Sequence, residues 1–352
     1  MSREGPANGQ SLNDQWTRYS RVRMSEPRRH HFVPRAYLMR FAGGDQVLVR
    51  QRDSRMFLAN PTKVAVECGF YNVTDATGKK SSQVEGVLAE VDGNATTSMQ
   101  WIDRVGRPPE EGTNERHALA VFLALQNTRT PEHRERVLFS GRVMDYADGR
   151  EVTRELVAEF LERVHLGFAA SDNEVRSAFD FVSVALREPR TETPEFAIHL
   201  MLQSVGYSAP LLASMNWTLE VDRKEQLITS DLPIVIWRTP SPRDKYEGVG
   251  LATADEVRFP LDPGKQLVLS KRARTPTARI TPQRARACNW DAANGCHRFL
   301  VGRPNQRSLL LAPPLAARGP RLRFHTGPMY VQQPDGTTKR QGELLHIWTP
   351  RR

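Results

Sequence analysis

Cysteine is scarce in this chain: Cys68, Cys288 and Cys296 are the three among 352 residues. An odd, sparse set excludes a disulfide framework and suits a reducing compartment. The paired C-x-x-C spacing is also missing, which leaves no structural zinc site to expect. Long apolar runs are absent too. The longest, such as 118–125, have the length of a buried helix and fall short of the roughly 18 uncharged residues that span a bilayer, so no membrane contact is expected. The first thirty residues are polar and arginine-rich with no apolar segment of signal-peptide type, which makes the cytoplasm the expected location. No G-x-G-x-x-G or Walker pattern occurs, which argues against a nucleotide cofactor, and no G-x-S-x-G elbow marks an α/β-hydrolase.

What the chain does have is enough hydrophobic content, 39%, to bury a sizeable core in one large domain. Its net charge of +10 is unevenly spread. Residues 1–40 carry eight Lys/Arg against three Asp/Glu, and residues 271–352 carry sixteen against three, so the middle of the chain is acidic. A basic third of this kind attracts polyanions, and nucleic acid is the expected partner. The competing reading is that the arginines are scattered singly over an ordinary solvated surface.

Periodicity divides the chain. Residues 1–27 read as a flexible polar arm and 28–352 as one α+β domain. Short strands are predicted at 47–52, 56–58 and 70–73. From 81 to 214 the spacing is helical, with Thr113 capping an all-apolar helix and Thr130-Pro131 closing it and starting the next. Further helices are expected at 132–146, 150–168, 173–187 and 193–206. Beyond 215 the pattern turns to β at 217–221, 226–229, 234–237, 257–260, 266–269, 298–301, 308–311, 321–325, 329–332 and 344–348, with one helix at 282–294. Strands, then helices, then strands point to an α+β fold with a mostly antiparallel C-terminal region.

Polar residues at the ends of apolar elements are the candidates for chemistry. In "RRHHFVPRAYLMRF" Pro34 holds Val33 extended, so His30 and His31 point to opposite faces. Either is a candidate base or metal ligand, with Arg28 and Arg35 to hold an anionic substrate. The alternative is that both histidines only hydrogen-bond inside a docked strand. Gln126 and Arg129 share a helix face and leave the rod together, either as a site or as a buried tie between helices, and His133 follows Arg129 by four residues. Asp231 in "LITSDLP" ends a strand beside Ser230; Asp231 would bind metal and Ser230 substrate, or the two simply form a turn. Glu85, with Asp92 two helical turns on, is a second carboxylate that would hold Mg²⁺ or Mn²⁺.

In order along the chain, His30-His31-Phe32-Val33-Pro34 with Tyr37, Leu38 and Phe41, then "KVAVECGFYNV", the Val84-Glu85 helix, "FLALQNTRTPEHRE", "LITSDLPIV", "VRFPLDPGKQLVLS" and "ACNWDAANGCHRFLVG" resemble the bacterial domain-of-unknown-function family 4238. The likeness runs in pieces from Arg29 to Pro304 and carries no activity with it. It implies that His31, Pro34, Glu85, Gln126, Arg129, Ser230, Asp231 and Asn289 occupy the family's motif positions. Where the family has an acidic residue later in the early helix, this chain has the shorter Asp92.

The resulting expectation is a phosphodiesterase or nuclease of defence or toxin type. In it His30 or His31 serves as base, Glu85 and Asp231 hold metal, Arg129 clamps phosphate charge, and Gln126 and Asn289 orient water or substrate. A non-catalytic nucleic-acid-binding or adaptor protein, and an enzyme on a small phosphorylated molecule, are the rival readings.

Overall fold

The computed structural model describes residues 29–53, 55–71, 73–74, 80–81, 83–187, 194–242, 248–333 and 337–350. The arm at 1–27, Arg28 and the turns expected at 75–78 and 334–336 lie outside the described residues. Strand β1 (Arg29–His31) and helix α1 (Arg35–Met39) lead into β2 (Val47–Gln51), β3 (Met56–Ala59), β4 (Val66–Cys68), β5 (Val73–Thr74) and β6 (Lys80–Ser81). Seven helices follow: α2 (Gln83–Val105), α3 (Asn114–Thr128), α4 (Pro131–Val137), α5 (Phe139–Ala147), α6 (Arg154–Phe160), α7 (Asp172–Arg187) and α8 (Pro194–Ser214). The C-terminal part holds β7 (Asn216–Val221), β8 (Thr229–Ser230), β9 (Val235–Trp237), β10 (Glu256–Asp262), β11 (Lys265–Ser270) and β12 (Thr277–Arg279). Helix α9 (Pro282–Gly295), β13 (Phe299–Gly302), α10 (Arg307–Leu311) and the long hairpin β14 (Arg323–Gln332) and β15 (Thr338–Trp348) complete it. The protein has an α+β fold.

Two sheets carry the β-part. One runs β12-β7-β11-β10-β9, antiparallel except for the β12–β7 pair, and the other runs β3-β2-β13-β8, antiparallel throughout. The second sheet draws its strands from both ends of the sequence, so the N-terminal strands complete a layer that the C-terminal third begins. Helix α3 packs against α2 and α8. That placement explains why Leu119, Ala120, Phe122, Leu123, Ala124 and Leu125 are all buried, and why the sequence offers no polar face there. Tyr37 stands at the junction of the sheets: its ring stacks 4.9 Å from Phe259, and its hydroxyl meets Thr229 Oγ1 at 2.7 Å and donates to Pro260 O at 2.8 Å. A second apolar cluster joins Phe139, Phe160, Ala178 and Val182 of the middle helices to Leu322 and Phe324 at the start of the hairpin.

Local chemistry sets the boundaries. Thr113 and Thr130 accept from Arg116 N–H and His133 N–H, at 3.4 and 3.2 Å, capping α3 and α4. The helix expected at 132–146 divides at Leu138 into α4 and α5, and the one at 150–168 ends in a wider π-type turn over Leu161–Leu166. The strand expected at 70–73 is met only at Val73, where β5 begins: Gly69 at φ 65° turns the chain and drives Phe70 and Tyr71 into the core. The apolar run at 308–311 is helix α10, initiated by the turn in which Gln306 N–H bonds Arg303 O at 2.9 Å. So short a run carries no period to separate helix from strand. Against the expectation of no membrane-compatible segment, the stretch Glu195–Ser214 of α8 is long and apolar enough to cross a bilayer by length and composition. Ala197, Ile198, Met201, Ala209 and Leu212 on that helix are buried inside the fold.

Tyr37→Phe leaves Pro260 O and Thr229 Oγ1 without this buried partner. Urea denaturation is expected to show a loss of about 1–2 kcal/mol with an unchanged m-value.

Candidate functional site

Glu85 and Asp92 lie seven residues apart on α2, about two turns, and so project from one side of it. The C-terminus of α3 comes up against that side. Arg129, 1% exposed, is its C-cap, and its guanidinium donates to both carboxylate oxygens of Asp92 at 2.7 and 3.2 Å. The remaining nitrogen, Nε, donates to Gln126 Oε1 at 2.8 Å, and Gln126 Nε2 passes the connection on to Phe32 O at 3.1 Å. The i, i+3 spacing of Gln126 and Arg129 does put both on one face, as the sequence indicates. Each of their side-chain nitrogens, however, already makes an internal hydrogen bond. The tie between helices and strand therefore describes Arg129 better than a clamp on phosphate charge, and Gln126 is turned to backbone rather than to water.

The strand held by this brace carries the histidines. β1 pairs with β4, with His30 opposite Glu67 and His31 opposite Val66. His30 is fully buried and His31 partly exposed, in line with their opposite facing. His30 Nδ1 accepts the Tyr71 backbone N–H at 2.8 Å, and its ring stacks on Tyr71. The hydrogen of the neutral ring is thereby placed on Nε2. That nitrogen faces Glu85 Oε2 at 3.5 Å, and neither atom has a hydrogen-bond partner among the described residues. Burial pushes the Glu85 carboxyl above its usual range, opposed by His30. The Glu85 side chain is nevertheless 29% exposed, so the pair is buried at one end and open to solvent at the other. His31 is held below the ordinary histidine range by burial, against a hydrogen bond with the Val64 backbone, and further by the charges of Arg35 and Arg29. Arg29 and Arg35 are exposed and make no ion pair among the described residues.

The other candidates sit elsewhere. Ser230 Oγ closes on Leu232, donating to its O at 2.9 Å and accepting its N–H at 3.1 Å, which is the turn reading and not a substrate contact. Asn289 clips α9 to the strand entry through Ile228 N–H and Gln226 O, at 3.1 and 2.7 Å. Asp231 is buried, and its two oxygens accept the backbone N–H groups of His297 and Arg298 at 2.9 and 2.6 Å. Its carboxylate is thus committed to the chain entering β13, while Glu85 faces His30. The two carboxylates expected to hold metal thus have different partners, and among the described residues no group of three or more His, Cys, Asp or Glu comes together to hold a metal ion. Tyr71, which orients His30 through its backbone, escaped the sequence reading although it lies in the quoted "KVAVECGFYNV" stretch.

A brace of helix ends around a half-open histidine–carboxylate pair, on an α+β fold, defines the class of protein. The chain belongs to the family described as "Protein of unknown function (DUF4238)", whose model matches residues 29–306. No curated protein and no solved structure matches it.

Removing one partner of the brace strands a buried charge. Asp92→Ala, which leaves the 1% exposed Arg129 guanidinium without its carboxylate, is expected to destabilise the protein by about 3–5 kcal/mol in chemical denaturation. His133, whose Nε2 is buried without a hydrogen-bond partner among the described residues, is held down at about 4 by burial, aided by Arg136 and opposed by Glu132. A histidine depressed from 6.5 contributes stability that is complete above pH 6.5 and is lost as pH falls through about 4. Thermal melting across pH 7 to 4 is expected to drop less steeply in His133→Gln than in the wild type.

Proposed function

We propose that the protein is a cytoplasmic hydrolase of phosphodiester bonds that acts on nucleic acid. The observation that carries this is the Glu85 carboxylate, which is raised by burial, has one oxygen turned to His30 Nε2 at 3.5 Å, and is part-exposed to solvent. A carboxylate with an elevated affinity for protons, held in place and reachable from outside, is suited to take a proton from attacking water. In this reading Glu85 is the base and His30 the positioning residue that orients it. His31, kept neutral by burial and by its arginine neighbours, is the second proton carrier. Exposed Arg29 and Arg35 meet the phosphate. The net charge of +10 and the three unpaired cysteines support a nucleic-acid substrate and a reducing compartment.

A second reading has its own support. The closed hydrogen-bond circuits of Arg129, Ser230, Asp231 and Asn289 fit a binding protein whose motif residues serve the frame alone. It predicts steeply salt-dependent nucleic-acid binding without cleavage.

Cleavage of end-labelled single-stranded DNA, RNA and duplex DNA, in Mg²⁺, in Mn²⁺ and in EDTA, separates the two. The hydrolase reading expects cleavage of at least one substrate, with kcat reduced about 10²- to 10⁴-fold in Glu85→Gln and KM little changed. Binding with no cleavage in any condition would establish the second reading instead, and a full rate in Glu85→Gln would remove Glu85 as the base.

A further inference from the structure

A cavity of about 440 Å³ opens between the α4–α5 helices, the chain at His297 and Arg298, and the segment 319–321. It is separate from the Glu85 carboxylate, although Glu67 and Phe70 of its wall belong to the ribbon that holds His30. Its lining has an excess of positive charge. Four arginines face two glutamates. Glu135 Oε1 serves two of them, Arg142 at 2.5 Å and Arg321 at 3.1 Å, and Glu67 meets Arg298 at 3.2 Å. The fourth guanidinium, that of Arg134, meets no carboxylate among the described residues and lies 5.2 Å from the centre of the Phe70 ring. Two positive charges are therefore left over, with one carboxylate shared and one guanidinium free. Arg321 Nε is also buried without a hydrogen-bond partner among the described residues, while His297 Nε2 faces Glu132 Oε2 at 3.4 Å.

The wall that carries His297 and Arg298 is fixed from behind. Asp231 holds both backbone N–H groups, and Arg52 donates to His297 O at 2.9 Å and to Ala316 O at 2.7 Å. Gly319 packs so closely on this wall that a Cβ there would lie 2.7 Å from His297 O. A preformed concavity with two uncompensated cations and an unfilled N–H donor on Arg321 is matched by a tetrahedral dianion.

We propose that this cavity binds a terminal phosphate group, a phosphomonoester dianion, with Arg134 and Arg321 as its direct contacts and Asp231 as the residue that positions the wall. The ligand is the phosphorylated end of a nucleic acid or a small phosphorylated metabolite, which share this group. The site stands whether or not Glu85 is catalytic.

The test is calorimetric titration of inorganic phosphate into the full chain at low ionic strength, followed by competition with a 5′-phosphorylated dinucleotide, its unphosphorylated counterpart and a hexose phosphate. The proposal expects one-to-one binding with Kd below about 1 mM, weakened about tenfold or more in Arg134→Gln and in Arg321→Gln, and retained in Glu85→Gln. Both arginines are part-exposed, and unchanged melting temperatures confirm that the variants fold. Competition by the phosphorylated dinucleotide identifies a nucleic-acid end as the source, and tighter binding of the hexose phosphate identifies a metabolite. Absence of saturable phosphate binding, or binding unaltered by both arginine substitutions, overturns the proposal. Because Glu85→Gln is expected to keep phosphate binding, the failure of this site and the failure of the hydrolase reading give different results.

Discussion

The ion pair between Arg129 and Asp92 is the constraint on which the candidate site depends. A guanidinium that is 1% exposed loses most of its hydration, a cost of several kcal/mol that only close, multiple hydrogen bonds offset. Here all three nitrogens are used, two on the Asp92 carboxylate and one on Gln126. Through Gln126 the same network reaches the backbone of Phe32, so the middle of α2, the end of α3 and the strand of the histidines are fixed to one another. A pair of this kind adds little net stability over apolar packing. What it does add is register: it fixes α2 along its axis, and with it the Glu85 carboxylate two turns away from Asp92, against His30.

The same device recurs wherever the chain places a polar residue at the end of an apolar element. Asp231 spends both oxygens on the backbone of His297 and Arg298, Asn289 bridges Ile228 and Gln226, and Ser230 closes its own turn. These side chains act on backbone groups that would otherwise be buried and unpaired. Among the described residues, the groups left over for chemistry include those whose hydrogen-bonding capacity is not exhausted in this way: His30 Nε2, the Glu85 carboxylate, Arg321 Nε and the guanidinium of Arg134 over Phe70. Chemistry and scaffolding are thus divided among neighbouring residues of the same motifs.

Much of the fold is legible in the sequence. Proline and threonine signals at 113 and 130–131 mark helix ends, and the all-apolar α3 declares its own burial. The α+β order of elements follows from the change of period near 81 and 215. What is not legible is the pairing of distant pieces: β2 and β3 join β13 and β8 in one sheet, and no local pattern announces a partner some 250 residues away. For the site, the sequence singles out His30, Glu85, Gln126 and Arg129, which the fold brings into one neighbourhood together with Asp92. It does not reveal that Arg129 is already neutralised, because a free and a paired arginine read alike. Nor does it reveal Arg134, Arg142, Arg298 and Arg321 as one cluster, since two belong to the acidic middle of the chain and two to the basic C-terminal part.

The frame presents a neutral His30 with its hydrogen on Nε2, directed at Glu85. Long-range ¹H–¹⁵N correlation of the His30 ring reads that state directly. The expected result is an unprotonated Nδ1, a hydrogen on Nε2, and an Nε2 shift that moves in Glu85→Gln while the Nδ1 assignment stays the same. A hydrogen on Nδ1, or a ring indifferent to Glu85, would contradict it.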